Sequence, residues 1–157
     1  MNNHIKIINS LILSVFLLYS CENKTIFKKY EKFENYQWNK NKNVVFNVNI
    51  KDDKTLYDVI IAIRHTPQYP YANLIFNLTI YSPSGQERTK DHNVFIRNRD
   101  GSFIAKGLGD IYDIEFKVLE KINFNEIGIY KFEINSLMPI YTTQGLMDIG
   151  LIIKKSE

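Results

Sequence analysis

Few side chains in this chain are suited to covalent chemistry, and the first is Cys21, the only cysteine in 157 residues. It has no partner for a disulfide within the chain. His4, His65 and His92 are the only histidines, and no HExxH, CxxC or Gly-rich phosphate loop accompanies them. Gly107-Leu108-Gly109 is a GxG alone and signals a tight backbone turn. Asp91, Asp100, Asp110 and Asp113 could offer oxygens to a hard cation such as calcium, but their spacing fits no known loop. No G-x-S-x-G elbow supports a serine nucleophile. The residues therefore predict no catalytic group, no metal centre and no cofactor. Recognition is better represented. Arg64-His65-Thr66-Pro67-Gln68-Tyr69-Pro70-Tyr71-Ala72-Asn73 gathers Arg, His and two Tyr around two stiffening prolines. With Trp38, the residues Arg64, His65, Tyr69, Tyr71 and Asn73 form a candidate contact surface. The competing reading is a structural corner whose tyrosines cover the core edge.

The residues before Cys21 say what becomes of its thiol. Met1–Lys6 is short and polar, and Ile7–Leu18 is an apolar run of twelve. A spanning helix needs about 20 such residues, so the run suits the hydrophobic region of an export signal. It closes on Leu18-Tyr19-Ser20-Cys21, similar to a bacterial lipobox, with Tyr19 in place of the usual small residue. Residues 1–20 are thus expected to be a cleaved lipoprotein signal peptide, with Cys21 carrying palmitate-type acyl chains as a membrane anchor. Cleavage leaves 19 Lys and Arg against 17 Asp and Glu, a net +2 that gives nucleic-acid binding no support.

The elements that must position these side chains follow from periodicity. Residues 21–42 read as a lipidated, charged tether, although Phe27, Tyr30 and Phe33 recur at a spacing compatible with a short amphipathic helix. From Val44 the dominant period is two. Val44, Phe46, Val48 and Ile50 share a face, as do Tyr57, Val59, Ile61 and Ile63, and Leu74, Phe76, Leu78 and Ile80. Ile114, Phe116 and Val118 repeat the pattern, followed by Tyr130, Phe132 and Ile134, then by Met147, Ile149, Leu151 and Ile153. Lys51–Lys54, Ser82–Gly85 and Asp100-Gly101 carry turn chemistry between strands. The sequence predicts one all-β domain over 43–157, an antiparallel sandwich of jelly-roll or immunoglobulin-like type.

Several segments, in order, resemble the GldH family of gliding-motility lipoproteins of the Bacteroidetes. They are Trp38 before Phe46-Asn47-Val48-Asn49-Ile50, then Leu56-Tyr57, and Ile63-Arg64 through Tyr69-Pro70-Tyr71-Ala72-Asn73-Leu74. Asp100-Gly101-Ser102-Phe103 leading to Gly107–Asp113, Gly128-Ile129-Tyr130-Lys131-Phe132 and Gly145–Leu151 complete the set. This chain departs from the family in Met138-Pro139, where Met-Arg is usual, and in Phe103, where Trp is usual. The resemblance implies a non-enzymatic envelope lipoprotein of the gliding machinery, linked to type IX secretion. It would contact other gliding or secretion envelope proteins and take no small-molecule substrate. Glu22 is the only acidic residue directly after Cys21, so no clear surface-export signal follows the anchor. The outer membrane, periplasmic face, is the expected location. A glycan-binding β-sandwich is the rival reading and would need Trp38, Tyr69 and Tyr71 exposed in one plane. An envelope hydrolase is a further rival and would need two carboxylates facing across a cleft.

Overall fold

A computed structural model describes residues 24–157, so the expected signal peptide and Cys21 lie outside the described residues. The strands are β1 (Thr25–Lys32), β2 (Gln37–Asn39), β3 (Val44–Ile50), β4 (Leu56–His65), β5 (Asn73–Tyr81) and β6 (Glu87–Phe95). They continue with β7 (Lys106–Leu108), β8 (Ile111–Asn123), β9 (Gly128–Ser136), β10 (Thr142–Gln144) and β11 (Leu146–Lys155). Among the described residues a single 3-10 turn, Glu34–Tyr36, interrupts them. Alternation works as expected in β3, where Val44, Phe46, Val48 and Ile50 are buried and the intervening residues exposed. Strand β4 is buried on both faces. Its inner side chains enter the main core, while Ile60 and Ala62 pack with Ile152 and Tyr30 on the outer side.

Eight strands are long, and they pair in a nested order. Strand β1 pairs with β11, β3 with β9, β4 with β8, and β5 with β6, all antiparallel. Three further ladders, β11 with β4, β8 with β7 and β5 with β9, complete the sheets β1-β11-β4-β8-β7 and β3-β9-β5-β6. First pairing with last and second with second-last is a long hairpin folded over on itself, the jelly-roll order rather than the immunoglobulin one. The sheets face each other across a core that contains Phe46, Val48, Ile61, Ile63, Phe76, Leu78, Phe132 and Ile149. Phe116, expected within it, is partly buried and packs against it. Aromatic pairs tie both sides of the sandwich. Phe27 meets Phe46 edge-on at 6.2 Å on one side, and His92 meets Phe116 at 6.2 Å on the other.

The tether expected over residues 21–42 is corrected within the described residues. Strand β1 lies along the full register of β11, from Thr25 opposite Lys154 to Lys32 opposite Asp148. No helix forms, because Phe27 faces the core while Tyr30 lies on the outer face over Gly150. A Cβ at Gly150 would stand 2.5 Å from the Tyr30 ring. Trp38 then carries β2 onto β10 as a small second ladder. The packed domain therefore begins at Thr25 rather than near Val44.

The short connections define two ends. Lys24, the 51–55, 82–86 and 124–127 turns and the C-terminal residues gather at one, here called the N-terminal end. The 33–43, 66–72, 96–110 and 137–145 segments gather at the other, the loop end.

Candidate functional site at the loop end of the sandwich

Strand β4 delivers Arg64 and His65 to the loop end on opposite faces of the sheet. Arg64 points outward, where its Nε donates to Asp113 Oδ1 at 2.8 Å and a terminal nitrogen to Asp148 Oδ2 at 3.3 Å. Both acids are its register partners on the neighbouring strands. Its guanidinium also lies 5.4 Å from the Tyr30 ring centre. Asp148 is only 2 % exposed. Burial pushes its carboxyl above the ordinary range against the pull of Arg64.

His65 turns inward and is fully buried. Its ring stacks on Tyr112 at 5.3 Å and packs against Phe103 at 4.7 Å and Tyr69 at 5.4 Å. Nδ1 donates to the Thr66 carbonyl at 2.9 Å, while Nε2 has no hydrogen-bond partner among the described residues. Burial holds this imidazole below its usual pKa, so it is neutral at physiological pH. A neutral ring enclosed by aromatics is a packing element.

The loop itself is built inward from Tyr69. Its backbone N–H closes a turn on Thr66, its hydroxyl donates to the Asn73 carbonyl at 2.9 Å, and its ring is fully buried. Gly145 allows this approach. It sits at φ +77°, and a Cβ there would fall 2.7 Å from the Tyr69 backbone. Arg97 ties the loop from above, donating to the carbonyls of Tyr69 and Gly101 at 2.8 Å each and lying 3.8 Å over Phe103. Gln68, Pro70 and Ala72 remain exposed, beside the partly buried Pro67 and Tyr71, and the Tyr71 ring stands edge-on to Tyr69 at 5.4 Å. Asn73 is partly exposed and donates from its side chain to Asn93 at 2.7 Å.

Trp38, placed on the candidate surface by sequence, is fully buried. It stacks on Phe33 at 5.4 Å and donates its indole N–H to the Lys42 carbonyl at 2.8 Å. Trp38, His65 and Tyr69 thus support the loop end from below, and Tyr71 and Asn73 reach its surface. Sequence reading missed Arg97, Tyr112 and Asp148, which complete the two clusters around His65 and Arg64. The four aspartates read as cation candidates do not form a cluster: among the described residues, no three His, Cys, Asp or Glu side chains stand together to hold a metal.

A family model described as GldH lipoprotein matches residues 25–153, all of both sheets but the last two residues of β11. The chain belongs to the GldH lipoprotein family. Among its relatives is the gliding motility lipoprotein GldH homolog of Christiangramia forsetii, 28% identical over 153 residues covering 93% of each chain. The gliding motility lipoprotein GldH of Flavobacterium johnsoniae is 26% identical over 154 residues, covering 94% of this chain and 95% of that one. Solved structures give looser likenesses. TmCBM61 in complex with beta-1,4-galactotriose is 14% identical at a TM-score of 0.35, with 73% of this chain spanning 62% of that one. The infectious bursal disease virus VP2 subviral particle is 11% identical at a TM-score of 0.39, with coverages of 84% and 34%. Scores this low add nothing to the topology described above. In this GldH-family chain Phe103 fills the space between His65, Tyr112 and Arg97.

Proposed function

We propose that this chain is a lipid-anchored envelope protein serving gliding motility as a non-catalytic accessory or assembly component associated with type IX secretion. Acylation at Cys21 holds it to the outer membrane on the periplasmic face, and protein contacts at the loop end carry its role. Membership of the GldH lipoprotein family is the observation that carries this reading. The loop end suits contact because a rigid base presents Pro70, Tyr71 and Asn73, with Tyr36, Phe95, Ile104 and Tyr141 exposed on the same end. Burial of Trp38 and Tyr69 removes two of the three rings that a planar glycan-binding face required.

Two measurements test the proposal. Cys21→Ala is expected to abolish incorporation of an alkyne fatty acid and to fail to restore gliding in a deletion strain. Labelling equal to the native chain would overturn the anchor. Tyr71→Ala is expected to keep its melting temperature yet lose motility and cross-linked envelope partners. Tyr69→Ala is expected to lose about 3–5 kcal/mol of stability, as buried aromatic truncations do. A Tyr71 variant with full motility and unchanged cross-links would remove this loop from the contact surface.

A further inference from the structure

We propose that a lysine-lined recess at the N-terminal end of the five-stranded sheet docks onto the anionic headgroups of the membrane holding the chain's own lipid. The inference rests on the reading of Cys21 as the lipidated residue. Only Glu22 and Asn23 separate Cys21 from Lys24, which immediately precedes β1. Whatever their conformation, three residue steps span at most about 11 Å. Acyl chains seated in a bilayer therefore hold this end of the sandwich close to the headgroup layer. The decisive range is the Debye length, about 8 Å at physiological ionic strength.

The surface held there has the matching chemistry. Lys24, Lys117, Lys121, Lys154 and Lys155 line one shallow recess with Ile60, Asp58 and Glu157. Carboxylates stand close to several of these ammonium groups, Asp52 beside Lys155 among them. Lys24 meets Glu157 at 2.9 Å, Lys117 meets Asp58 at 2.9 Å and Glu120 at 3.5 Å, and Lys154 meets Glu115 at 3.6 Å. Among the residues that line the recess itself, lysines outnumber carboxylates five to two. The Lys24–Glu157 and Lys154–Glu115 pairs are solvent-exposed and therefore weak. These long lysine stems can turn from a carboxylate to a lipid phosphate at little cost, while Lys117 stays near the mostly buried Asp58. Leu56 and Ile127, 44% and 61% exposed at the same end, add apolar side chains beside the charged ones. That mixture of cations and aliphatic groups suits a headgroup layer.

The test uses the mature protein as isolated from cells, bound to vesicles of phosphatidylcholine alone or of phosphatidylcholine with phosphatidylglycerol. A water-soluble amine reagent modifies exposed lysines, and peptide masses report each site. Lys121 and Lys154 are expected to be modified about fivefold less in the phosphatidylglycerol vesicles. Lys40 and Lys42, at the loop end, are expected to be modified equally in both. High salt is expected to cancel the difference. The double variant Lys121→Gln, Lys154→Gln, with its melting temperature checked, is expected to lose the protection of Lys117. Equal modification of Lys121 and Lys154 in both vesicle types overturns the docking surface. The mass of the Cys21 peptide from the same preparation separately decides the anchor, so a missing acyl group and an undocked recess are told apart.

Discussion

Asp58 stands on β4 in the lysine recess, and three donors converge on its carboxylate. Burial pushes its carboxyl up, but hydrogen bonds from Lys117, Ser156 and the Lys121 backbone N–H outweigh this and hold it at about 2, against an ordinary value of 3.8. The folded chain thus sheds this proton more readily than the unfolded one. The stabilisation is complete above the ordinary value and is lost as pH falls through the folded one. Asp58→Asn is expected to cost about 2 kcal/mol at neutral pH and almost nothing near pH ~2. Urea unfolding midpoints of both proteins across the acid range check this, and a difference independent of pH would refute the assignment. Asp148 behaves in the opposite sense. Its raised carboxyl favours the folded state at low pH, and that contribution is lost as pH rises. Nothing in the sequence distinguished the two. Both read as polar positions alternating with aliphatic neighbours, and only the register that sets Asp148 between Lys32 and Arg64 separates them.

At the scale of elements, the informative case is the segment before Val44. Phe27, Tyr30 and Phe33 resemble a helical stripe, yet the chain is extended there and each ring has a different destination. Phe27 enters the core, Tyr30 covers Gly150, and Phe33 packs on Trp38 beyond the end of β1. Trp38→Ala is therefore expected to remove about 3–5 kcal/mol, the cost typical of a buried tryptophan. A spacer position would cost almost nothing. Thermal unfolding decides between them, and an unchanged midpoint would restore the tether. Elsewhere the strands were readable where one face meets the core and the other meets water, as in β3, β5 and β9. Strand β6 was not, because its inward positions opposite Ile80 and Leu78 hold Arg88 and Lys90 at the edge of the sheet. Charges at such positions hide the alternation, and they are also a common defence of edge strands against unwanted pairing. A connection between two strands was legible from Pro67 and Pro70, although Arg64 and His65 lie in β4 and Asn73 in β5. Which of its rings face inward was hidden, since that depends on Gly145 and Arg97, each distant in sequence.

Taken whole, the molecule is a sandwich whose N-terminal end is proposed to face the membrane and whose loop end is proposed to meet partners, the two separated by the length of its strands. Strand β4 has ten residues, so the ends lie roughly 34 Å apart. Trp38 sits at the loop end and is the only tryptophan, which makes it a native reporter of distance from the bilayer. In vesicles whose acyl chains carry bromine, a short-range quencher, the fluorescence of the anchored protein is expected to be unchanged. In a Trp38→Phe background, a second substitution Ile127→Trp moves the reporter to the N-terminal end, where a side chain 61% exposed stands beside the Ser84–Glu126 turn. That variant is expected to be quenched. The contrast tests orientation independently of any partner, because a domain lying flat on the sheet face would bring both reporters to similar depth. Quenching of both would mean that the loop end also rests on lipid, leaving Tyr71 facing the bilayer instead of a protein. Quenching of the Ile127→Trp reporter alone would leave the loop end held out in the aqueous space, where an envelope partner can reach it.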